Sequence, residues 1–217
     1  MIWILLACKP APVSAAPPKE SEPPPVDTQD SEPPAPPDGT VTGSVTTDDG
    51  ESGTLVAWHA FTFANENAAL VYLSSAPDAT CDMLTESLFR QGDPSGLFAS
   101  DACNLQILIQ DPLPFSYDFT AATTASFQLT CPFGTGSWSQ QDNAWRWGGR
   151  WYVANAQSGT VALSATGSIV NGSVDFQTFS GSYPYEAGTP AAMMNNPVVG
   201  NVIGESCEGL GIHPVFQ

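Results

Sequence analysis

The sequence predicts an all-β fold, an antiparallel β-sandwich or open barrel with one short helix, preceded by a disordered proline-rich stalk. Three observations predict it. From Gly39 onward, apolar and β-branched residues alternate with polar ones between turn-forming clusters, at the spacing of short antiparallel strands. Charged residues make up only 12% of the chain, and Ser, Thr, Asn and Gly stand where Lys and Glu would cover the helices of a cytosolic protein. No βαβ alternation can be traced, which removes the parallel-sheet classes.

The chain opens on an apolar run, Met1 to Cys8, ending in Leu6-Ala7-Cys8. It resembles the tail of a bacterial lipoprotein signal peptide, in which Cys8 would receive the lipid. No cation precedes the run, and it is shorter than a signal core of about 7–15 residues, so the true start is expected upstream. The alternative is a stray thiol beside a chance apolar start. Residues 9–38 hold eleven of the chain's twenty prolines and six acidic residues, with no glycine and no aromatic. Such a segment cannot bury a core. It should be an extended acidic linker, reaching on the order of 90 Å at about 3.1 Å per residue. A spacer of this kind directly after an acylatable cysteine would lift a domain clear of a membrane.

Residues 39–217 form the expected β-sandwich domain. Strands are expected over Val41 to Thr46, Thr54 to Phe63, Ala69 to Ser74, Cys103 to Gln110, Phe115 to Thr120, Ala125 to Cys131, Trp145 to Val153, Thr160 to Ala165, Gly172 to Phe179 and Val198 to Gly204. Phe127, Leu129 and Cys131 share one face opposite Gln128 and Thr130, and Phe115, Tyr117 and Phe119 repeat the pattern. One segment breaks the period. Cys81 to Arg90 sets Leu84 and Leu88 four apart beside Met83, with a Glu86 to Arg90 pair, as in a short surface helix crossing between strands.

Cys81, Cys103, Cys131 and Cys207 are an even set in a chain expected in an oxidising compartment, so two structural disulfides are expected. If the chain from Cys103 to Cys131 is a three-strand meander, those two lie at opposite ends of the sheet. The expected pairing is therefore Cys81 with Cys103 and Cys131 with Cys207. A metal site is not expected, because there is no C-x-x-C and no nearby histidine.

Five Lys and Arg stand against 22 Asp and Glu, for a net charge of -17. After residue 38 the only Lys or Arg residues are Arg90, Arg146 and Arg150, too few to track a phosphate backbone, so nucleic acid is excluded as a partner. Catalytic patterns are equally sparse. His59 and His213 lie in no recognisable catalytic or metal motif, and His59 is expected to be hydrogen-bonded and partly buried. Gly204-Glu205-Ser206-Cys207-Glu208-Gly209 has one residue too many for a G-x-S-x-G elbow. Glu205 and Glu208 are the carboxylates best spaced for a glycosidase, although spacing alone cannot show two carboxyls facing one sugar. Asp48-Asp49-Gly50-Glu51 could bind calcium with loop oxygens, but it lacks the alternating D-x-D-x-D-G ligand pattern, and a solvated hairpin turn explains it as well. No cofactor is expected.

The most informative local feature is the aromatic stretch Trp138, Trp145, Trp147, Trp151 and Tyr152. On one strand, Trp145, Trp147, Trp151 and Val153 share a parity and should face the core, with Arg146 and Arg150 toward solvent. The competing reading is a sugar-stacking platform of exposed indoles. A bulge at Gly148-Gly149 would break the parity.

The lipobox-like start, the proline-rich stalk and the β-domain together resemble lipoproteins of myxobacteria and related environmental bacteria. So do the segment Leu70 to Ser75 leading to Cys81, the run Gly172-Ser173-Val174-Asp175-Phe176 and the terminal Cys207. The resemblance implies a location and a fold more than an activity. The leading expectation is a non-catalytic lipoprotein of the bacterial cell envelope, at the outer membrane or periplasmic face, presenting its β-domain to an envelope protein or polysaccharide. The second is a carbohydrate-binding module using Trp138, Trp145, Trp147 and Trp151. The third is a hydrolase with a carboxylate site.

Overall fold

The computed structural model describes residues 40–47, 50–118, 125–141, 144–182 and 194–217. Cys8, the linker over residues 9–38, Asp48-Asp49 and Phe119 lie outside them. The described chain forms β1 (Thr42–Thr46), β2 (Ser52–Val56), β3 (His59–Ala64), β4 (Ala69–Ser74), α1 (Cys81–Phe89), β5 (Asn104–Ile109), β6 (Phe115–Asp118), β7 (Ala125–Phe133), β8 (Trp138–Gln141), β9 (Ala144–Trp147), β10 (Arg150–Thr166), β11 (Ile169–Ser182), β12 (Met194–Ile203) and β13 (Glu205–Ser206). Short 3-10 turns cover Pro94–Gly96, Glu208–Ile212 and Pro214–Phe216.

The fold is all-β with one short helix. Eleven strands make one sheet in the order β13-β3-β4-β5-β7-β10-β11-β12-β1-β2, with β6 added against β10, while β8 and β9 form a separate hairpin. The ladders are antiparallel except for β13 beside β3. So long a sheet folds over on itself. Val71, Leu73, Leu105, Ile107 and Leu129 from one layer meet Val161, Leu163, Val174, Val198 and Val202 from the other in one buried cluster. Phe127 and Phe176 pack across it at 5.1 Å.

Both edges of the sheet return to its middle without closing a barrel. At one edge Thr54 of β2 accepts from Cys103 N (2.8 Å) and donates its own N–H to Asp101 O (2.8 Å). At the other, the buried Thr62 hydroxyl donates to Ser168 O (3.2 Å) and accepts from Val170 N (3.1 Å), tying β3 to the start of β11. The chain changes layer at Ala57-Trp58, so the expected single strand Thr54 to Phe63 is two. It changes again inside β10, where the register shifts around Ser158 and Gly159. Gly159 holds φ +131, and a side chain there would strike the Asp175 carbonyl of β11, so the bend requires glycine.

Every residue of β4 is buried, because its second face is covered as well. Phe61, Leu70 and Tyr72 point away from the sandwich core and pack under Leu84, Leu97, Phe98 and Leu210. Helix α1 lies over this face. Its N-cap Thr80 accepts from Met83 N (3.2 Å), and its buried side is Leu84 and Thr85, with Leu88 exposed. It joins β4 to β5, which are adjacent antiparallel partners, so it does not cross to another part of the sheet.

The disulfides are Cys81–Cys207 and Cys103–Cys131, which corrects the expected pairing. The meander premise fails because β6 does not lie between β5 and β7 but pairs with β10 farther along, making β5 and β7 direct neighbours. With Asn104 opposite Thr130, Cys103 falls opposite Cys131 on adjoining strands. Cys207 is then left for Cys81 at the first residue of α1, and their bond clamps the helix to the C-terminal 3-10 turn.

Candidate functional site

The aromatic stretch folds into a structure that parity alone did not reach. Gly148 and Gly149 end one strand and begin another, so the expected strand Trp145 to Val153 is the end of the β8–β9 hairpin followed by β10. On β10 the core parity belongs to Tyr152 and Ala154, both fully buried, and Trp151 faces the other way. Arg150 is not turned to solvent either; it is half-buried and pairs with Glu51 at 3.0 Å. The four tryptophans are therefore not one core-facing row on a single strand, although Trp138 and Trp151 pack, partly buried, against the apolar cluster under α1. Trp138, Trp145, Trp147 and Trp151 are all half-buried.

An isolated two-stranded hairpin is barely stable, so its position must come from elsewhere. Three indole N–H groups supply it. Trp138 Nε1 donates to Phe98 O (3.1 Å), Trp145 Nε1 to Gln91 O (2.9 Å) and Trp147 Nε1 to Phe133 O (3.3 Å). Trp138 and Trp147 are cross-strand partners with ring centroids 5.5 Å apart, and Trp138 meets Trp151 edge-on at 5.2 Å. Phe98 supports Trp151 from below at 5.1 Å. Trp147 needs bare backbone on two sides: a Cβ on either Gly136 or Gly149 would sit 2.5 Å from its indole.

The rings wall two clefts. One, of about 430 Å³, is lined by Trp138, Trp145, Arg146, Trp147, Gly149 and Trp151. The other, of about 320 Å³, shares Trp138, Trp145 and Trp151 and is completed by α1 and the loop after it, through Ser87, Leu88, Gln91 and Phe98 among others. That loop begins at Gln91 and ends at Asp101, the two non-glycine residues with positive φ (58° and 60°) among those described. Gln91 sits where a helix usually ends on glycine, with Gly92 N reaching back to Glu86 O at 2.8 Å. Backbone strain of this kind gathers beside binding sites.

What the site offers a ligand is indole faces more than indole N–H groups. Among the described residues, Trp151 is the one of the four whose N–H carries no hydrogen bond. Arg146 is exposed and makes no ion pair among the described residues, while Arg90 is held by Glu86 at 2.8 Å. The clefts thus combine half-exposed aromatic faces with the Arg146 guanidinium and the polar residues Ser87 and Gln91.

The acid–base candidates lie elsewhere. His59 is partly buried, with Nδ1 2.9 Å from Glu205 Oε1 and Nε2 2.9 Å from Pro77 O. Burial works against its charge, but the Pro77 and Glu205 hydrogen bonds and the charges of Glu205 and Asp78 outweigh it and hold its pKa above the ordinary value. Glu208 accepts from Ser168 (3.1 Å) and Ser206 (3.2 Å), so Glu205 and Glu208 are engaged by different partners. His213 accepts from Val215 N through Nδ1, and burial lowers its pKa. A smaller cavity near Trp58, Ile203 and Glu205 measures about 190 Å³. No group of three His, Cys, Asp or Glu side chains among the described residues could hold a metal ion.

No family model matches this sequence, and no curated protein or solved structure matches it either.

Proposed function

We propose that this chain is a non-catalytic lipoprotein of the bacterial cell envelope whose disulfide-bonded β-domain binds carbohydrate at the aromatic clefts. The observation that carries the binding reading is a set of four half-buried tryptophans lining open clefts, three of them held in place through their own N–H groups and Trp151 by ring contacts with Phe98 and Trp138. Indoles wholly enclosed in a core would not line open clefts. Indoles left on a surface by chance would not be fixed by three backbone carbonyls from two separate segments, the loop after α1 and the end of β7. The lipobox-like Cys8, the acidic linker and the likeness to myxobacterial lipoproteins support the location.

The test uses the full chain with Cys8→Ser, so that it can be handled without detergent. Acrylamide quenching of tryptophan fluorescence is measured with and without soluble polysaccharides of several linkages, beside the Trp145→Ala/Trp147→Ala variant. Binding should protect the indoles from the quencher, and the double variant should lose that protection while keeping its near-ultraviolet dichroism from the core aromatics. Unchanged quenching across the panel would defeat the carbohydrate reading. Acylation is tested separately by membrane fractionation of the wild-type chain and Cys8→Ser; equal fractionation would defeat the anchor.

A further inference from the structure

We propose that the site reads at least two consecutive rings of an uncharged, linear polysaccharide, an inference that rests on the carbohydrate reading above. The two clefts are not separate sites. Trp138, Trp145 and Trp151 stand in the wall of both, so a ligand seated against Arg146, Trp147 and Gly149 meets the same three rings as one seated against α1. A single sugar can occupy only one of these spaces. A chain can occupy both, laying one ring on each side of the shared tryptophans.

Each cleft also has its own polar group for sugar hydroxyls. Arg146 brings guanidinium donors to the first. Ser87 and the side-chain amide of Gln91 line the second, and neither has a hydrogen-bond partner among the described residues. The Gln91 carbonyl is already taken by Trp145, which fixes this wall relative to the hairpin.

Charge selects among chains. The protein carries -17 overall, and its field repels a polyanion at a distance whatever a single arginine offers on contact. Among the described residues no carboxylate lines either cleft, and Arg146 is the one charged side chain there. An uncharged glycan is the chain that both conditions admit.

The experiment takes the full Cys8→Ser chain and measures affinity for cello-, chito-, malto- and manno-oligosaccharides of one to six rings. It compares hydroxyethylcellulose with carboxymethylcellulose in parallel. For the series that binds, affinity should rise by about tenfold or more from one ring to several, a step of about 1.4 kcal/mol, and then level off. Ser87→Trp fills the second cleft and should erase that gain, so that affinity no longer rises with the number of rings. Leu88→Trp, at an exposed position of α1, repeats the block should the first variant fail to fold. Affinity that does not depend on length, or tighter binding of the anionic polymer, overturns this inference and leaves the carbohydrate reading standing. Binding by no member of the panel overturns both.

Discussion

Opening the Cys81–Cys207 bond with a Cys81→Ala/Cys207→Ala double variant should remove a large part of the domain's stability. The bond closes a loop of 126 residues, and the chain-entropy relation assigns such a loop about 4.9 kcal/mol at 25 °C. The 28-residue Cys103–Cys131 loop is worth about 3.6 kcal/mol by the same relation. The smaller loop lies inside the larger, so keeping it shortens the free chain, but the logarithm makes that correction only about 0.2 kcal/mol. A loss of nearly 5 kcal/mol is comparable with the whole stability of a marginal domain, about 5–15 kcal/mol. Urea unfolding followed by tryptophan fluorescence reads both double variants against the parent. The Cys81–Cys207 variant should unfold at lower urea, and because α1 walls the second cleft it should also bind glycan more weakly before it unfolds. Peptide mapping without reductant gives the decisive check. Fragments joining Cys81 to Cys103, or a larger loss from the Cys103–Cys131 variant, would refute the reasoning.

Three further predictions use the same unfolding assay. The Tyr72 hydroxyl is buried with no hydrogen-bond partner, and burial raises its pKa far above the ordinary value; Tyr72→Phe should therefore stabilise the domain by about 1 kcal/mol, and a destabilised variant would mean the hydroxyl is partnered. Gln91→Gly relieves a side chain held at φ 58° and should gain about 1 kcal/mol, provided Trp145 still reaches the carbonyl; a loss would show that the side chain itself anchors the loop. His59 has its folded pKa raised above the ordinary 6.5, so its stabilisation is complete below 6.5 and fades as pH climbs through the folded value. The gap in urea midpoint between the parent and His59→Gln should be wider at pH 5 than at pH 9, and an equal gap would contradict the paired imidazolium.

The parts of the fold legible in the sequence are those where a local pattern decides the structure. Ala69 to Ser74 is a strand with the expected bounds, and Phe127, Leu129 and Cys131 face the core, because each strand's alternation is its own and needs no partner. The helix was legible through its i,i+4 spacing. The disulfide pairing was not, because it turns on whether β6 stays between β5 and β7, a long-range choice that no local period encodes. The hairpin was missed for a different reason. Trp138 to Gln141 is too short to show a period, and Gly148-Gly149 was treated as an interruption within one strand when it separates two. A signal was present all the same: two glycine sites, Gly136 and Gly149, flank an aromatic run, and such spacing marks places where a large ring lies against backbone.

Strand β10 runs unbroken through both layers, and β11 pairs with it nearly from end to end. Were the amino-terminal side of the domain tethered and the hairpin bound to a glycan, tension between the two would enter at β1 and travel through β12 and β11 into β10. The bent ribbon is thus the beam on which any such load would hang, and Gly159 is the joint that lets it turn the corner.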